Sequence, residues 1–429
     1  MPEHSPALET ASGKELLLFL ADLGTALSAI GETVDAVEER LGLIARAYGL
    51  QEARFSVFPT SLFLTIARGE AATIESTKRL SATPRLDQIA AVHRLAEEAE
   101  GGVLPPGEGI VQLAQIRAMS SRFGPLASVL GYTTLTIGIA LILRPAPRDV
   151  AAAAVLGTIV GVLRLLAHGR RSLEVLMPFV AAFAVAALSA LAVKHGITDP
   201  GLRAMIAALV VFIPGVALTT AFLELAEGQM ISGSSRLVWA ATQLGLIAFG
   251  IVAGVSAAGV PAERAFSSSD ALLGGWAPWL GVLVFGVGVT VAHSTPPGAL
   301  PSLLVVLYAA WTGQVVGDAL FGAYSSGFVG AVVMTFVAYQ LARLRSTMPV
   351  YAMFLPGFWL LVPGSLGLIG LTTFLAFPDS ASSTDVFAVI GAITAVALGV
   401  LCGVELYRWL LGAERRAHAV TRRVRPPNV

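Results

Sequence analysis

The sequence predicts an α-helical polytopic membrane protein, with ten transmembrane helices arranged as a 5+5 inverted repeat that contains broken helices, preceded by a small cytoplasmic α+β domain. Three observations predict it. Of 429 residues, 55% are hydrophobic and only 13% charged, and the mean hydropathy is +0.76. In such a composition the 44 glycines let apolar helices approach closely. After residue 123, ten apolar stretches follow one another, each near the roughly 20 residues a helix needs to cross the hydrocarbon core. Finally, Pro214-Gly215 in VVFIPGVALTT recurs 149 positions later as Pro363-Gly364 in LLVPGSLGL.

The first 123 residues read as the α+β domain. Apolar residues recur at helical spacing over 16–30 and 34–48, with Gly31 and Gly49 as stops. Strands are expected over 53–57, 62–67 and 72–77, with a turn at Pro59-Thr60. Helices follow over 86–100 and 109–121. The amino terminus is polar and lacks an apolar core behind a basic flank, so no cleavable signal peptide is expected.

The first membrane module covers 124–258, with spans 124–143, 150–167, 173–193, 204–225 and 237–258. The polar link PAERAFSSSD separates it from the second module, 272–411, with spans 272–293, 299–316, 321–341, 350–377 and 386–411. A basic tail, 412–429, closes the chain. A shift of 149 positions superposes the two sets of spans, the two Pro-Gly pairs, and Gly250-xxx-Gly254 on Gly399-xxx-Gly403. Five spans is an odd number, so the second copy enters from the opposite face, as in many secondary transporters.

The ninth span, TMPVYAMFLPGFWLLVPGSLGLIGLT, carries both Pro356-Gly357 and Pro363-Gly364. Proline removes a backbone donor and clashes with the preceding turn, so a break near mid-membrane is expected. Non-helical backbone persists there only where protein or a water-filled cavity satisfies it. Pro214, Gly215, Pro363 and Gly364 are therefore expected around one cavity, with Thr219, Thr220 and Ser365 beside them as substrate contacts or as hydroxyls repairing helix backbone.

Intramembrane acids are costly and read as functional by default. Asp318, with Gln314 one turn before it and no cationic neighbour in sequence, is the first candidate for proton coupling; Glu224 and Glu227 follow. The bland reading places the two glutamates at the interface beside Arg236. Glu405 with Arg408, and Arg164 with Glu174, read as structural pairs. His93 and Glu97 stand at i, i+4 but lack the further ligands a metal needs, so a solvated surface pair is expected. Ser61, His93 and Asp87 could form a hydrolytic triad, yet no nucleophile-elbow glycine pattern surrounds Ser61. Cys402 cannot form an internal disulfide and reads as a buried packing residue.

A net charge of zero argues against nucleic acid as a partner, and no GxxxxGK[ST] loop for ATP is present. No cofactor or metal is expected. With the amino terminus inside, the cytoplasmic side receives Arg122, Arg170, Arg171, Arg236, Arg343, Arg345, Arg415, Arg416, Arg422, Arg423 and Arg425; the outside receives Arg144, Arg148, Lys194, Arg203 and Arg264. Both termini are thus expected in the cytoplasm.

The segment LGTALSAIGETVDAVEERLGLIARAYGLQEARFSVFPTSLFLTI, then RLDQIAAVHRLAEEAEGG, resembles the soluble N-terminal domain of the bacterial threonine/serine exporter family. MPVYAMFLPGFWLLVPGSLGL resembles that family's second membrane module. The resemblance carries over Gly31, Val37, Glu38, Gly49, Pro59, Thr60, Pro363, Gly364 and Ser365 as motif positions. It implies a multi-pass protein of the bacterial inner membrane, exporting threonine, serine or similar small amino acids in exchange for protons. Some relatives are linked instead to dicarboxylate export, the alternative within transport; a membrane-anchored hydrolase is the alternative outside it. Expected partners are the small-molecule substrate, protons and the lipid bilayer, and a homo-oligomer is compatible with the sequence.

Overall fold

The computed structural model describes residues 11–51, 53–66, 74–75, 84–143, 145–197, 202–261, 273–343, 348–361 and 391–410. Pro363, Gly364 and Ser365 lie outside them.

The N-terminal unit is built from helices α1 (Ala11–Ala29), α2 (Val34–Ala47), α3 (Leu86–Glu100) and α4 (Pro106–Ala118) with strands β1 (Ala53–Phe58), β2 (Ser61–Ile66) and β3 (Ile74–Glu75). The strands form an antiparallel sheet in the order β1-β2-β3, with Val57 opposite Leu62 and Leu64 opposite Ile74. Thr33 caps α2 by accepting from the Ala36 N–H. Gly31 and Gly49 adopt φ +97° and +84°, the left-handed geometry that ends a helix cheaply only at glycine. Phe19, Leu20, Leu23, Val37, Leu41, Leu62, Leu64 and Val92 make the core between helices and sheet.

The membrane part follows with α5 (Pro125–Ile142), α6 (Pro147–Ala167), α7 (Arg171–Lys194), α8 (Leu202–Leu209), a 3-10 turn at Val210–Phe212, α9 (Gly215–Ala226), α10 (Met230–Ala257), α11 (Ala277–Ala292), α12 (Leu300–Phe321), α13 (Ala323–Arg343) and α14 (Val350–Leu361). A further helix, α15, spans Gly391–Leu410. Among the described residues, seven helices are long and apolar enough to cross a bilayer, and the pair Arg203–Phe212 with Gly215–Ala226, bent by 61°, brings the number to eight; α11 and α14 are apolar but shorter. The protein is a multi-pass helical membrane protein. Outward-facing Val155, Leu166, Val175, Val238, Phe249 and Leu398 are exposed, as expected for side chains that meet lipid rather than water.

Helix contacts in the two halves correspond. On α10, a Cβ added to Gly250 would meet Phe179 O and Ala182 Cβ of α7; on α15, one added to Gly399 would meet Phe328 O and Ala331 Cβ of α13. These are the same contacts displaced by 149 positions. Gly254 against Phe183 and Ala186, and Gly403 against Val332 and Thr335, repeat the match. The counterparts α5 and α11 pack directly on each other: Gly131 faces Ala292, Leu135 faces Gly288, Gly138 faces Phe285, and Ile142 faces Gly281. Rising numbers on one helix meet falling numbers on the other, so the pair is antiparallel.

Two expectations need correction. Pro356 lies inside α14 without breaking it, as Pro178 lies inside α7, so the break expected in the ninth span does not fall at the first of its two prolines; the second, Pro363, lies outside the described residues. One lost backbone bond is tolerated where packing holds the helix, and Gly357 is pressed against the Met334 sulfur. Cys402 is exposed on α15 rather than buried, because that helix turns Gly399 and Gly403 toward α13 and leaves the intervening residue outside.

Candidate functional site

The bend between α8 and α9 arises where Pro214 follows Ile213. The residue before a proline is pushed out of the helical region, and Ile213 is extended at φ −69°, ψ 121°. Helix α9 restarts at Gly215, whose missing side chain faces Phe358 of α14: an added Cβ would lie 3.9 Å from its carbonyl oxygen. The first break thus abuts the helix that leads into Pro363-Gly364. On the next turn Thr219 and Thr220 are buried, and the Thr219 hydroxyl has no hydrogen-bond partner among the described residues. At the end of α14, Gln314 of α12 donates to the Leu361 carbonyl at 3.1 Å, satisfying a group at a helix terminus. A separate cavity of about 310 Å³ between α9 and α15 is lined by Phe222, Leu225, Ala226, Ala397, Leu398, Leu401 and Thr394; it offers little to a zwitterion.

The far end of α9 is tied to the N-terminal unit. Glu224 is fully buried and receives Arg236 Nε at 3.1 Å and 3.0 Å on its two oxygens, and the Val34 N–H at 3.1 Å. Arg236 also donates to the Glu32 carbonyl at 3.3 Å, and Gln229 donates to Asp35. Gly31 meets Val216 near the start of α9, so the loop from Gly31 to Val34 runs along this half-helix. From sequence Glu224 is a candidate for proton coupling, with a solvated place beside Arg236 as the bland alternative; the pair with Arg236 forms, but it is buried under that loop rather than solvated.

The other predicted residues lie elsewhere. Glu227 caps α9 and is exposed. Asp318 is exposed near the end of α12. Glu405 and Arg408 pair at 2.7 Å on the exposed face of α15. Arg164 lies over the Tyr132 ring and Glu174 caps Gly169 N–H, so those two serve different partners.

His93 is a correction: it is 3% exposed and turned from Glu97, which is exposed. Its Nδ1 lies 3.0 Å from Arg40 Nη1 and 3.3 Å from Glu32 Oε1, and its ring stacks on Tyr351 of α14 at 5.2 Å. Asp87 is held by Arg85, so the hydrolytic triad is not assembled. Among the described residues, no group of three or more metal-ligating side chains occurs. Glu32 and Arg40 were missed because an acid just before a helix reads as a complement to the helix dipole. The available signal was Gly31-Glu32-Thr33, an acid between a helix stop and a cap.

No solved structure matches the chain. A curated relative, pheromone-regulated membrane protein 10 of Debaryomyces hansenii, is 23% identical over 391 residues, covering 85% of this chain but 37% of the relative. The chain thus spans little more than a third of that protein's length. A family profile described as "Putative threonine/serine exporter" matches residues 18–258, which reaches from α1 across the bent span to the end of α10. On that match the chain belongs to the ThrE threonine/serine exporter family.

Proposed function

We propose that the protein is a secondary active exporter of small amino acids of the threonine/serine class, driven by proton exchange, with substrate held between the Pro214-Gly215 bend and the Pro363-Gly364-Ser365 segment. The observation that carries this reading is the broken span itself: a half-helix beginning at Gly215, set against α14, with the buried Thr219 hydroxyl, which has no partner among the described residues, one turn away. Half-helix N-termini present free N–H groups and positive dipole ends, which suit a carboxylate; hydroxyls and carbonyls suit an ammonium. Transport of this kind needs no covalent chemistry. The antiparallel packing of α5 on α11, and the glycine contacts repeated at 149 positions, support an inverted repeat of five spans each. Alternating access follows from rocking one repeat on the other.

The test is efflux from cells preloaded with labelled threonine. Gly215→Leu fills the space facing Phe358 and is expected to slow export by about tenfold or more, which needs only about 1.4 kcal/mol on the limiting step. Membrane abundance should be unchanged. Wild-type efflux from that variant would remove the bend from the pathway.

We also infer that the protein lies in the bacterial inner membrane with both termini cytoplasmic, from the arginines near the span ends. With Cys402 replaced, Ser268→Cys is expected to react with an impermeant thiol reagent in intact cells. Reaction only after permeabilisation would reverse the topology.

A further inference from the structure

The three acids singled out from sequence do not supply a buried group free to change charge. Asp318 and Glu227 are exposed, and Glu224 is locked by Arg236 and the Val34 N–H. A different acid meets the requirement. Glu32 is 1% exposed, in the loop between α1 and α2, and its Oε1 accepts from Arg40 at 3.1 Å. Arg40 is shared, since its Nε also bridges Glu100 at 2.9 Å. Arginine has no acceptor, so the Arg40 contact at 3.0 Å requires His93 Nδ1 to accept and places the ring proton on Nε2. That Nε2 is buried and has no partner among the described residues. The cluster is therefore incomplete in polar terms, and it stands where the N-terminal unit meets α9 and α14. Tyr351 of α14 stacks on His93 with ring planes 13° apart. Gly31, next to Glu32, touches Val216 of α9, and the Glu32 carbonyl accepts from Arg236 of α10. Tyr339 of α13 also faces Glu32 and Arg40 electrostatically.

Resting on the exporter reading above, we propose that Glu32, cradled by Arg40 and His93, is the group that takes up and releases the exchanged proton, which makes the N-terminal unit part of the transport machinery. The step is a simple one. The Glu32 O–H bond breaks toward cytoplasmic water, and the electron pair stays on the carboxylate. With Glu32 neutral, Arg40 and Glu100 balance and the cluster can remain packed under α9 and α14. Ionised, Glu32 adds an uncompensated charge in a dry place, and that charge favours separation of the N-terminal unit from α9 and α14, opening the pathway to the cytoplasm. A proton arriving from outside restores the closed packing.

The electrostatics agree with this arrangement. Burial raises the Glu32 carboxyl to about 7, against the pull of Arg40 and with a push from Glu100. Burial, then Arg40, lowers His93 to about 3, so the imidazole stays neutral while the carboxyl titrates. The signs follow. Glu32 favours the packed state fully below its ordinary 4.5, and this share is lost as pH rises through about 7. The His93 share is present above 6.5 and is lost as pH falls through about 3.

The test uses the purified full-length protein in two measurements. In detergent, the infrared band of a protonated carboxyl is expected to fade with a midpoint near pH 7 in wild type and to be missing from Glu32→Gln. In vesicles loaded with labelled threonine, wild-type efflux should follow the roughly tenfold change in ionised fraction between pH 6 and 8, whereas Glu32→Gln should be slower and flat. Glu32→Asp should restore a titration with a displaced midpoint, which separates loss of the proton site from loss of fold. A band with the wild-type midpoint in Glu32→Gln, or an unchanged pH profile, would overturn the proposal. Wild type that carries no threonine while its Glu32 band still titrates would overturn the exporter reading and leave the proton site standing.

Discussion

Arg236→Met is expected to destabilise the folded protein by about 3–5 kcal/mol, the cost of leaving one member of a buried ion pair without its partner. Glu224 is fully buried, and in this variant it would keep, among the described residues, the Val34 N–H. Neutralisation of the carboxylate recovers part of the loss, and so does any water that reaches it. The effect is not confined to one helix, because the same guanidinium holds the Glu32 carbonyl; the loop from Gly31 to Val34 should therefore detach from α9 and become open to protease. Replacing both members, Arg236→Met with Glu224→Leu, should recover most of the stability, since a dry apolar pair avoids the desolvation that the ion pair has to offset. Unfolding in mixed micelles of the two single variants and the double variant gives the coupling directly. A single variant as stable as wild type would show that the pair clamps nothing.

Gly138→Val should be nearly as damaging, for a steric reason. A Cβ at Gly138 would lie 2.3 Å from Phe285 N and 2.5 Å from its Cα, and one at Gly288 would lie 2.2 Å from Leu135 N. These neighbours are backbone and cannot rotate aside, so α5 and α11 must separate along the whole antiparallel contact. Overpacking typically costs about 1–3 kcal/mol, and a shift of two helix axes belongs at the upper end. Gly245→Val in α10 is the control, because nothing lies within 4 Å of a Cβ there. Equal stability of the two variants would mean that the seam between the halves is looser than described.

Much of the membrane architecture was legible because its causes are local. An apolar run of the right length declares a helix, and Pro214 declares a bend, since both act on the backbone where they stand. The glycines at 250, 254, 399 and 403 could be aligned in sequence because close approach leaves a spacing behind. Pro356 misled for the complementary reason: whether a proline breaks a helix depends on what packs around it, and Met334 is not a sequence neighbour. Cys402 misled because an apolar run does not say which side of a helix meets lipid. The polar interface was least legible. Glu32 and His93 are 61 positions apart, and Glu224 and Val34 are 190 apart. No periodicity records such pairings; they exist only once the N-terminal unit is seated on α9 and α14.

We propose that this chain moves a small amino acid outward at the expense of a proton gradient. The most direct measurement is efflux of preloaded labelled threonine from cells with and without the protein, with labelled succinate as comparison and a protonophore as the second variable. The protein is expected to accelerate loss of threonine but not of succinate, and the protonophore to abolish export against a gradient. Unchanged threonine efflux, or threonine export indifferent to the protonophore, would contradict the proposal.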